Sequence, residues 1–337
     1  MLDNYECDNQ LSLFDFIADN KPKNYKITKP VRLIEIFSGY QSQYMALKRL
    51  GVDVESYRTS EWCIPVVNLA NAVHNNGEFE KTDYSKEEAV EILLKYGVSN
   101  DGKTPLTKEN LQRKSVDWLN EVIGKFRATH NVGSVCNIHA DSLGIVNCDK
   151  FTYLLTYSFP CQDISVAGKQ KGFSKENQED EETSTRSGLL WEIERLINEC
   201  DELPQILLME NVKNIVGKKF IDDFNKWKEF LESKGYKCFY QVLNSKNYGI
   251  PQNRERCFMI SILDENANYE FPETIPLGKV MKDYLEDEVD KKYYITSEKA
   301  QKLIDTLILE GKILNERTNE RTNERTNEQT NERTNLR

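Results

Sequence analysis

The chain has 337 residues, 39% of them hydrophobic, and a formal net charge of −10, which together indicate a globular protein and argue against a general nucleic-acid coat. The 8 cysteines form no Cys-x-x-Cys pair, so the sequence indicates reduced thiols, with neither a zinc site nor a disulfide framework. The sequence contains no signal peptide and no apolar run that could span a bilayer, and we expect a soluble, cytoplasmic protein without membrane contact.

Residues 1–30 are predicted to form a flexible N-terminal tail with one island of large apolar side chains, from Gln10 to Phe14 (Gln-Leu-Ser-Leu-Phe). Such an island is typical of a docking peptide, but a short helix that folds back on the body would have the same composition. The five residues resemble the pentapeptide by which bacterial replication and repair proteins bind the sliding clamp. A bacterial sliding clamp is therefore one expected partner.

A strand, a glycine turn and a helix are predicted at the start of the body. Residues 31–37 are apolar enough for a buried parallel strand, and residues 38–40 turn the chain into the helix. Residues 52–57 are predicted as a second strand, followed by Glu61 and Trp62. An acid there can accept hydrogen bonds from ribose hydroxyls, and the indole can stack on an adenine. A single glycine is a weak signal, however, and an ordinary strand-to-helix turn would have the same pattern.

The next stretch, residues 75–130, is charged and mostly helical in pattern, with turn signals near residue 100. We interpret it as a helical insertion. After it, Asp141 offers another acid near a predicted strand end. Asp141 is therefore a further candidate for a site at the edge of the sheet.

Cys161 follows a short apolar run, residues 153–157, that is predicted as a buried strand. The thiol therefore lies just past the carboxyl end of a strand, where ligands and catalytic residues gather in open α/β sheets. A lone cysteine is more often a structural thiol than a nucleophile, so position alone does not decide its role. Another predicted strand, residues 205–209, leads into Glu210 and brings a carboxyl group to the same edge.

The remaining elements continue the alternation of strands and helices. Helices are predicted over residues 186–199 and 220–234, and strands over residues 236–243 and 257–263. A rigid turn between the last two strands carries Arg254 and Arg256, although such a turn is ordinarily just a solvated loop. The alternation predicts a doubly wound α/β sheet.

The order of several short motifs carries more information than any one of them. They are Ile-Glu-Ile-Phe-Ser-Gly (34–39), Glu-Trp (61–62), Asp141, Phe-Pro-Cys-Gln (159–162), Gly-Leu-Leu (188–190), Glu-Asn-Val (210–212) and Tyr-Gly-Ile-Pro-Gln-Asn-Arg-Glu-Arg (248–256). In this order they resemble the C5-cytosine-specific DNA methyltransferases of bacteria and phages, over roughly residues 31–264. The resemblance implies a methyltransferase catalytic domain with the doubly wound, Rossmann-like α/β sheet of S-adenosylmethionine-dependent methyltransferases and a helical insertion.

The resemblance also implies a reaction. A methyl group would pass from S-adenosylmethionine to carbon 5 of a cytosine that is flipped out of double-stranded DNA. The thiolate of Cys161 would add to carbon 6 and make carbon 5 nucleophilic, while Glu210 contacts ring nitrogen 3. Arg256 and Arg254 would bind carbonyl oxygen 2 and hold the glutamate. The family places these residues around the adenosine: Phe37, Gly39, Glu61, Trp62, Asp141 and Leu190. A restriction enzyme of the same system is a further expected partner.

The chain departs from the family pattern in two places. The later glycines of the first motif are replaced by Gln41 and Ser42, which leaves the binding of the methionine moiety open. After about residue 264 the sequence shows neither a recognition domain nor the last two family motifs, so residues 265–314 are interpreted as the start of an incomplete recognition region. The alternative function is an inactive or partner-dependent truncated fragment that binds cofactor but lacks DNA recognition.

Residues 315–337 form a low-complexity tail built on the tetrapeptide Asn-Glu-Arg-Thr, in which Gln329 replaces one arginine. As protein, the tail is predicted to be a disordered end. As coding DNA, a repeated AACG unit read in triplets gives AAC-GAA-CGA-ACG, which encodes this tetrapeptide. We hypothesise that slippage in such a tract shifts the reading frame and that this chain is the truncated product of one repeat number.

Overall fold

The computed structural model describes residues 25–161, 164, 173, 186–286, 288–293 and 297–312. These residues divide into two compact units, of which the first ends at Lys279 and the second begins at Val280. The clamp-like peptide of the N-terminal tail, the motif residue Gln162 and the repeat tail lie outside the described residues. The first unit includes residues 265–279, which the sequence assigned to the region after the catalytic domain.

A six-stranded sheet forms the centre of the first unit, as far as the structure describes it. Its strands are β1 (Val31–Ile36), β2 (Val54–Ser60), β3 (Thr152–Tyr157), β4 (Ile206–Val212), β5 (Lys237–Asn244) and β6 (Glu255–Ile262). The strand order is β2-β1-β3-β4-β6-β5, with β1 to β4 parallel and β6 antiparallel to both of its neighbours. The carboxyl ends of β1 to β4 and the amino end of β6 therefore meet at one edge, where a site can form.

The central parallel strands β1, β3 and β4 form where the sequence is mostly apolar. Leu33 and Ile34 in β1, and Tyr153 and Tyr157 in β3, are completely buried because helices and loops cover both faces of the central sheet. β5 lies at the sheet edge and leaves Tyr240 exposed. Six of the predicted strands are present, although β2 extends to Ser60 and the reversed direction of β6 was not predicted; the strand expected before Asp141 is absent.

Helices alternate with the strands. They are α1 (Ser42–Arg49), α2 (Ile64–Asn75), α3 (Lys86–Tyr96), α4 (Lys108–Gln112), α5 (Val116–Ala128), α6 (Ala140–Leu143), α7 (Leu190–Glu199) and α8 (Ile221–Ser233). Gly51 and Gly235 follow α1 and α8 with positive φ angles of 71° and 92°, a backbone conformation that stops a helix and favours glycine. The buried residues of α7 include Leu190, Ile193 and Ile197, which recur at helical spacing and face the core.

The predicted helical insertion contains α3, α4 and α5, which form a hydrophobic cluster of their own together with α2. Ser85 and Glu88 make a reciprocal capping box at the start of α3, in which each side chain accepts a hydrogen bond from the other residue's backbone amide. Phe126 stacks on Tyr96 with 5.2 Å between ring centroids. This segment therefore has its own small core beside the sheet.

The main core lies around β3, β4, α7 and α8. Trp227 of α8 is completely buried and its indole nitrogen donates to the Tyr157 hydroxyl at 3.1 Å. This contact fastens α8 to the central strand β3 just before the chain reaches Cys161.

The second unit contains 3₁₀ turns at Met281–Tyr284 and Lys291–Tyr293, and helix α9 at Glu298–Leu309. The Ser297 hydroxyl caps α9 by accepting a hydrogen bond from the Ala300 amide at 3.3 Å. Among the described helices of the whole chain, none is both long and apolar enough to cross a membrane.

Candidate active site

Cys161 lies beyond the carboxyl end of β3, and side-chain amides bind the backbone on both sides of the thiol. The Asn211 amide donates to the Phe159 carbonyl at 3.1 Å, and the Asn214 amide donates to the Ile164 carbonyl at 2.6 Å. The Ile164 amide in turn donates to the Cys161 carbonyl at 3.0 Å. The loop that carries the thiol is therefore fixed to the end of the neighbouring strand β4, through Asn211, and to the turn after it, through Asn214.

Glu210 is held from the neighbouring antiparallel strand. Its Oε1 lies 3.0 Å from Arg256 Nε and 3.8 Å from Arg254 Nη2. The pairing of Val212 with Arg256 in the β4–β6 ladder brings the arginine beside the carboxylate. The structure thus brings together Glu210 and Arg256, as predicted, and Arg254 forms a longer ion pair with the same carboxylate. Glu210 lies on β4, the strand next to the one that leads to Cys161.

Four of the other described cysteines are poor candidates for the nucleophile. Burial raises the pKa of the Cys257 thiol to about 12, with the nearby Glu210 charge as a second cause. Burial likewise raises the pKa of Cys148, Cys200 and Cys238 to about 11. Such thiols are almost entirely protonated near neutral pH, and only the thiolate attacks. Cys161, which is half-buried at the strand-end edge, fits the role by position.

The turn between β1 and α1 forms a cradle. Phe37, Gly39 and Gln41 have φ angles of 58°, 54° and 60°, so the backbone is left-handed at every second residue. The Gly39 amide donates to Glu61 Oε2 at 3.2 Å, which joins the turn to the end of β2. The described atoms leave open space within 4 Å of the position that a Gly39 Cβ would occupy. The geometry is that of a backbone surface that a ligand can approach closely.

The Glu61 carboxylate is fixed by backbone amides. Besides Gly39, the Cys63 amide donates to its Oε1 at 2.9 Å. Burial raises the pKa of Glu61, while these amide donors pull the pKa down. A carboxylate has about four acceptor positions, so the amides of Gly39, Trp62 and Cys63 still leave capacity for a ribose hydroxyl.

Two buried oxygens lie beneath this turn. Glu35 and Thr156 are register partners on β1 and β3, so their side chains leave the same face of the sheet. Both residues are at most 2% exposed, and within the described part of the chain Glu35 Oε2 and Thr156 Oγ1 have no hydrogen-bond partner. Burial raises the pKa of Glu35 to about 8. Unpaired buried oxygens at this edge fit a site that takes a further polar donor.

The remaining predicted cofactor residues are less closely joined. Leu190 is buried in the main core at the start of α7, and the carbonyl of the half-buried Trp62 accepts from the Ser99 amide at 2.8 Å. Asp141 is exposed, and the predicted strand before it is not present: it lies in α6, a single helical turn. No described hydrogen bond or ion pair joins Asp141 to the Gly39 turn or to Glu61.

Sequence reasoning missed the asparagines that support the site. The buried Asn131 accepts from the Glu61 amide at 3.2 Å and donates to the Glu61 carbonyl at 3.0 Å. No local pattern marks it, because its partner is 70 positions away. Asn211 belongs to the Glu-Asn-Val motif, and its place in that motif was the one indication in the sequence of a role in supporting the site.

Gln41 takes a position where the family pattern has glycine. Its positive φ costs a non-glycine residue about 1 kcal/mol or more. The side chain is 3% exposed and its amide donates to the Thr129 carbonyl at 3.4 Å, a bond that glycine could not make. The missing glycine is thus accommodated by an anchor to the end of α5.

The sequence of the chain is similar to those of known methyltransferases. A family model described as C-5 cytosine-specific DNA methylase matches residues 114–336. The orphan methyltransferase M.SssI of Spiroplasma monobiae is 38% identical over 71% of this chain and 61% of its own length. The type II methyltransferase M2.ScrFI of Lactococcus lactis subsp. cremoris is 37% identical over 79% of this chain and 70% of its own length. The chain therefore spans about two thirds of the length of these relatives.

Solved structures share the fold. Dnmt2 methyltransferase of S. pombe aligns with a TM-score of 0.52 at 17% identity, over 80% of this chain and 65% of that one. The Entamoeba histolytica methyltransferase EhMeth aligns with a TM-score of 0.50 at 14% identity, over 80% of this chain and 64% of that one. The predicted Rossmann-like methyltransferase fold is confirmed.

The donor set fits the methyl donor of such proteins: an open backbone cradle at Gly39, a fixed carboxylate with spare acceptor capacity at Glu61, and an unpaired buried oxygen at Glu35. The family match covers well over half of the chain, and the cysteine, glutamate and arginine of the family motifs lie at one edge of the sheet. The chain belongs to the C-5 cytosine-specific DNA methylase family.

Proposed function

We propose that this chain transfers a methyl group from S-adenosylmethionine to carbon 5 of cytosine in double-stranded DNA. The observation that carries the proposal is the ion pair of Glu210 with Arg256, 3.0 Å long, on the strand beside the loop of Cys161. A nucleophile, an acid and a cation on neighbouring strand ends form the set that an addition to a pyrimidine ring requires.

Carbon 5 of cytosine is too electron-poor to attack a methyl group directly. The thiolate of Cys161 forms a bond to carbon 6, and the electrons of the 5,6 double bond move so that carbon 5 becomes nucleophilic. S-adenosylmethionine supplies the methyl group that carbon 5 takes. Loss of the carbon 5 proton to a base then expels the thiolate and restores the aromatic ring.

Glu210 and the arginines would stabilise the charge that develops on the ring. The glutamate contacts ring nitrogen 3 and shares or donates a proton as negative charge develops there. Arg256 holds the carboxyl group in place, and Arg254 and Arg256 reach carbonyl oxygen 2. Because the reacting atoms are inside the base stack of DNA, the cytosine must be flipped out to reach Cys161.

The cofactor would lie on the β1 turn, with its adenosine among six residues that the family motifs assign: Phe37, Gly39, Glu61, Trp62, Asp141 and Leu190. Glu61 would accept from the ribose hydroxyls, because backbone amides already fix its orientation. Trp62 would stack on the adenine. The binding of the methionine moiety would have to adapt to Gln41, whose side chain is anchored to Thr129.

Cofactor binding and methyl transfer should be measured separately. Calorimetric titration with S-adenosylhomocysteine tests the cradle, and transfer of a radioactive methyl group to cytosine-containing DNA tests the chemistry. We expect both. Because the chain spans about 61% of the length of M.SssI, a second candidate is a fragment that binds cofactor but needs a partner for transfer. Binding without transfer would favour that candidate, and no binding would contradict both.

Two protein partners are proposed. The peptide from Gln10 to Phe14 would bind a bacterial sliding clamp, with Leu13 and Phe14 as apolar anchors. A synthetic peptide of residues 5–18 should bind the clamp in solution, and the same peptide with both anchors changed to alanine should not. Absence of binding by the unchanged peptide would reject this partner. The type II names of relatives such as M2.ScrFI suggest a restriction enzyme of the same system as the other partner.

A further inference from the structure

Residues 135–140 connect the end of the helical segment to Asp141 without being part of a strand or a longer helix. Up to Ser134 the chain is anchored by backbone bonds: the Val132 amide donates to the Thr59 carbonyl and the Ser134 amide to the Tyr96 carbonyl. Beyond that point the segment needs other partners to keep its place. The Val135 and Ile138 side chains are buried in the main core, but the backbone carbonyls of these two residues must still be satisfied.

Arg195 of α7 satisfies them. One nitrogen of its guanidinium, Nη2, donates to the Val135 carbonyl at 3.0 Å and to the Ile138 carbonyl at 2.9 Å. Its Nε donates to Glu192 at 2.8 Å and its Nη1 donates to Glu199 at 2.8 Å. All three guanidinium nitrogens are therefore used, and the two carboxylates fix the fork in the orientation that reaches the carbonyls.

Glu199 extends the same network to the first residue of α6. Its Oε2 accepts from the Ala140 amide at 3.1 Å and lies 3.2 Å from His139 Nδ1. Ala140 directly precedes Asp141. The Asn137 amide also donates to the Leu94 and Lys95 carbonyls, at 3.4 and 3.3 Å, which are longer bonds. The α7 network is therefore the tighter of the two anchors.

We propose that Arg195 is a positioning residue for the cofactor, which fixes residues 135–140 and thereby holds Asp141 at the edge of the sheet. The inference rests on the proposed function, in which Asp141 contacts the adenosine. Arg195 itself contacts backbone carbonyls and carboxylates of the protein. Its loss should weaken cofactor binding. Residues 135–140 would then become ordered only when the cofactor binds, and the free energy needed to order them would reduce the affinity.

Arg195→Lys tests this, because a single ammonium cannot span two carbonyls and two carboxylates as the planar guanidinium does. We expect the Kd for S-adenosylhomocysteine to rise about tenfold, the effect of losing one charge-assisted hydrogen bond. The KM for S-adenosylmethionine should rise similarly, while kcat at saturating cofactor changes by less than about twofold.

Lys228→Met is the matched control. Lys228 forms an ion pair with Glu232 at 2.8 Å within α8, and its side chain is 30% exposed, against 31% for Arg195. The control breaks a comparable ion pair within a helix without touching residues 135–140, so the affinity for S-adenosylhomocysteine should not change.

Hydrogen exchange of the cofactor-free chain separates positioning from a general structural role. In Arg195→Lys the amides of Asn137, Ile138 and Ala140 should exchange faster, while amides in the second half of α7 keep their protection. Faster exchange throughout α7 would show a structural role and overturn the inference. If Arg195→Lys did not fold, Glu199→Gln provides the same test, since it weakens the hold on the Ala140 amide and should raise the Kd in the same direction.

The outcomes distinguish this inference from the proposed function. Absence of S-adenosylhomocysteine binding by the wild-type chain would contradict both. Wild-type binding that Arg195→Lys leaves unchanged would overturn the role of Arg195 alone. A tenfold weaker affinity with an unchanged kcat and faster exchange confined to residues 135–140 would support it.

Discussion

Cys161 follows β3, which pairs with β4, the strand that carries Glu210. If it forms the bond to carbon 6, Cys161→Ser should lose nearly all methyl transfer. The variant should also fail to form a stable adduct with DNA that contains 5-fluorocytosine, because fluorine replaces the proton whose loss normally releases the enzyme. Denaturing electrophoresis of the protein–DNA adduct measures this directly.

Cys238→Ser is the control for this prediction, because Cys238 pairs with Ser261 near the carboxyl end of β6, at the opposite edge of the sheet from Arg256. It should trap 5-fluorocytosine DNA as the wild-type chain does. An adduct that still formed with Cys161→Ser would assign the nucleophile to another residue.

Glu210→Gln should preserve the shape of the site but remove the acid. The Gln amide could no longer share a proton with ring nitrogen 3 or form an ion pair with Arg256. We expect kcat to fall by roughly 10²- to 10⁴-fold, the usual contribution of a general acid. Single-turnover methyl transfer at saturating cofactor measures the step, and a rate within about twofold of wild type would refute the role.

Because the carboxyl group of Glu35 is buried, we expect the free energy of unfolding to fall as pH rises. Burial raises the pKa of its carboxyl from 4.5 to about 8. Between these values the folded chain holds a proton that the unfolded chain has released, so the free energy of unfolding decreases as pH rises through this range and is level above it. Glu35→Gln removes the titrating group, and its stability relative to wild type should increase by on the order of 1–4 kcal/mol from about pH 5 to about pH 9.

Urea unfolding at several pH values measures the difference for Glu35→Gln. Glu255→Gln is a suitable control, since Glu255 is an exposed partner of Lys213 and its removal should leave the pH dependence of stability nearly unchanged. Parallel profiles for wild type and Glu35→Gln would show that Glu35 does not titrate as proposed.

At the residue scale, sequence predicted the groups that carry chemistry better than those that support them. Glu61 was predicted because an acid after a second strand has a known geometric relation to the first turn. The support from Asn131 joins segments 70 positions apart, so no local pattern could show it. The same holds for the bonds of Arg195 to backbone carbonyls about 60 positions away.

At the element scale, burial explains which predictions succeeded. The strands β1, β3 and β4 are buried on both faces, so their apolar runs stand out in the sequence. The direction of β6 depends on the sheet as a whole, because its pairing with β4 and β5 is non-local. The strand expected before Asp141 is replaced by irregular chain, which buries its apolar side chains without pairing its backbone along a ladder.

The attachment of α8 to β3 provides a prediction at this scale. Trp227→Phe removes the donor to the completely buried Tyr157 hydroxyl and should lower the free energy of unfolding by about 1–3 kcal/mol. Tyr157→Phe should have a similar cost because it leaves the indole donor unpaired. The double variant should cost clearly less than the sum, since neither group is then left without its partner.

Urea unfolding of the two single variants and the double variant completes the cycle. Strict additivity would mean that the indole–hydroxyl bond contributes nothing to the attachment. Trp227→Leu would not serve, because it also creates a cavity whose cost is of similar size.

At the scale of the whole molecule, the sequence indicates much more of the structure of the first unit than of the second. The first unit has motifs, continuous strands and a core, all of which leave patterns in the sequence. In the second unit, helix α9 has no buried residue among those described. The sequence of this unit also contains no motif that was recognised. Family membership therefore rests on the first unit and on the match over residues 114–336.

Residues 315–334 repeat Asn-Glu-Arg-Thr with a single change at Gln329, and this pattern predicts a four-base repeat in the coding DNA. A four-base unit read in triplets returns to its starting phase after twelve bases, which gives a period of four amino acids. AACG encodes this tetrapeptide, and one base change, CGA to CAA, accounts for the glutamine. Gain or loss of one unit would shift the frame of everything after the tract, so we expect repeat number to decide which polypeptide follows the repeats. Sequencing the gene in many single colonies should show tracts that differ by whole units, and reporter fusions should be expressed at one repeat number in three. Codons that do not follow AACG, or a tract of fixed length with constant reporter expression, would exclude the switch.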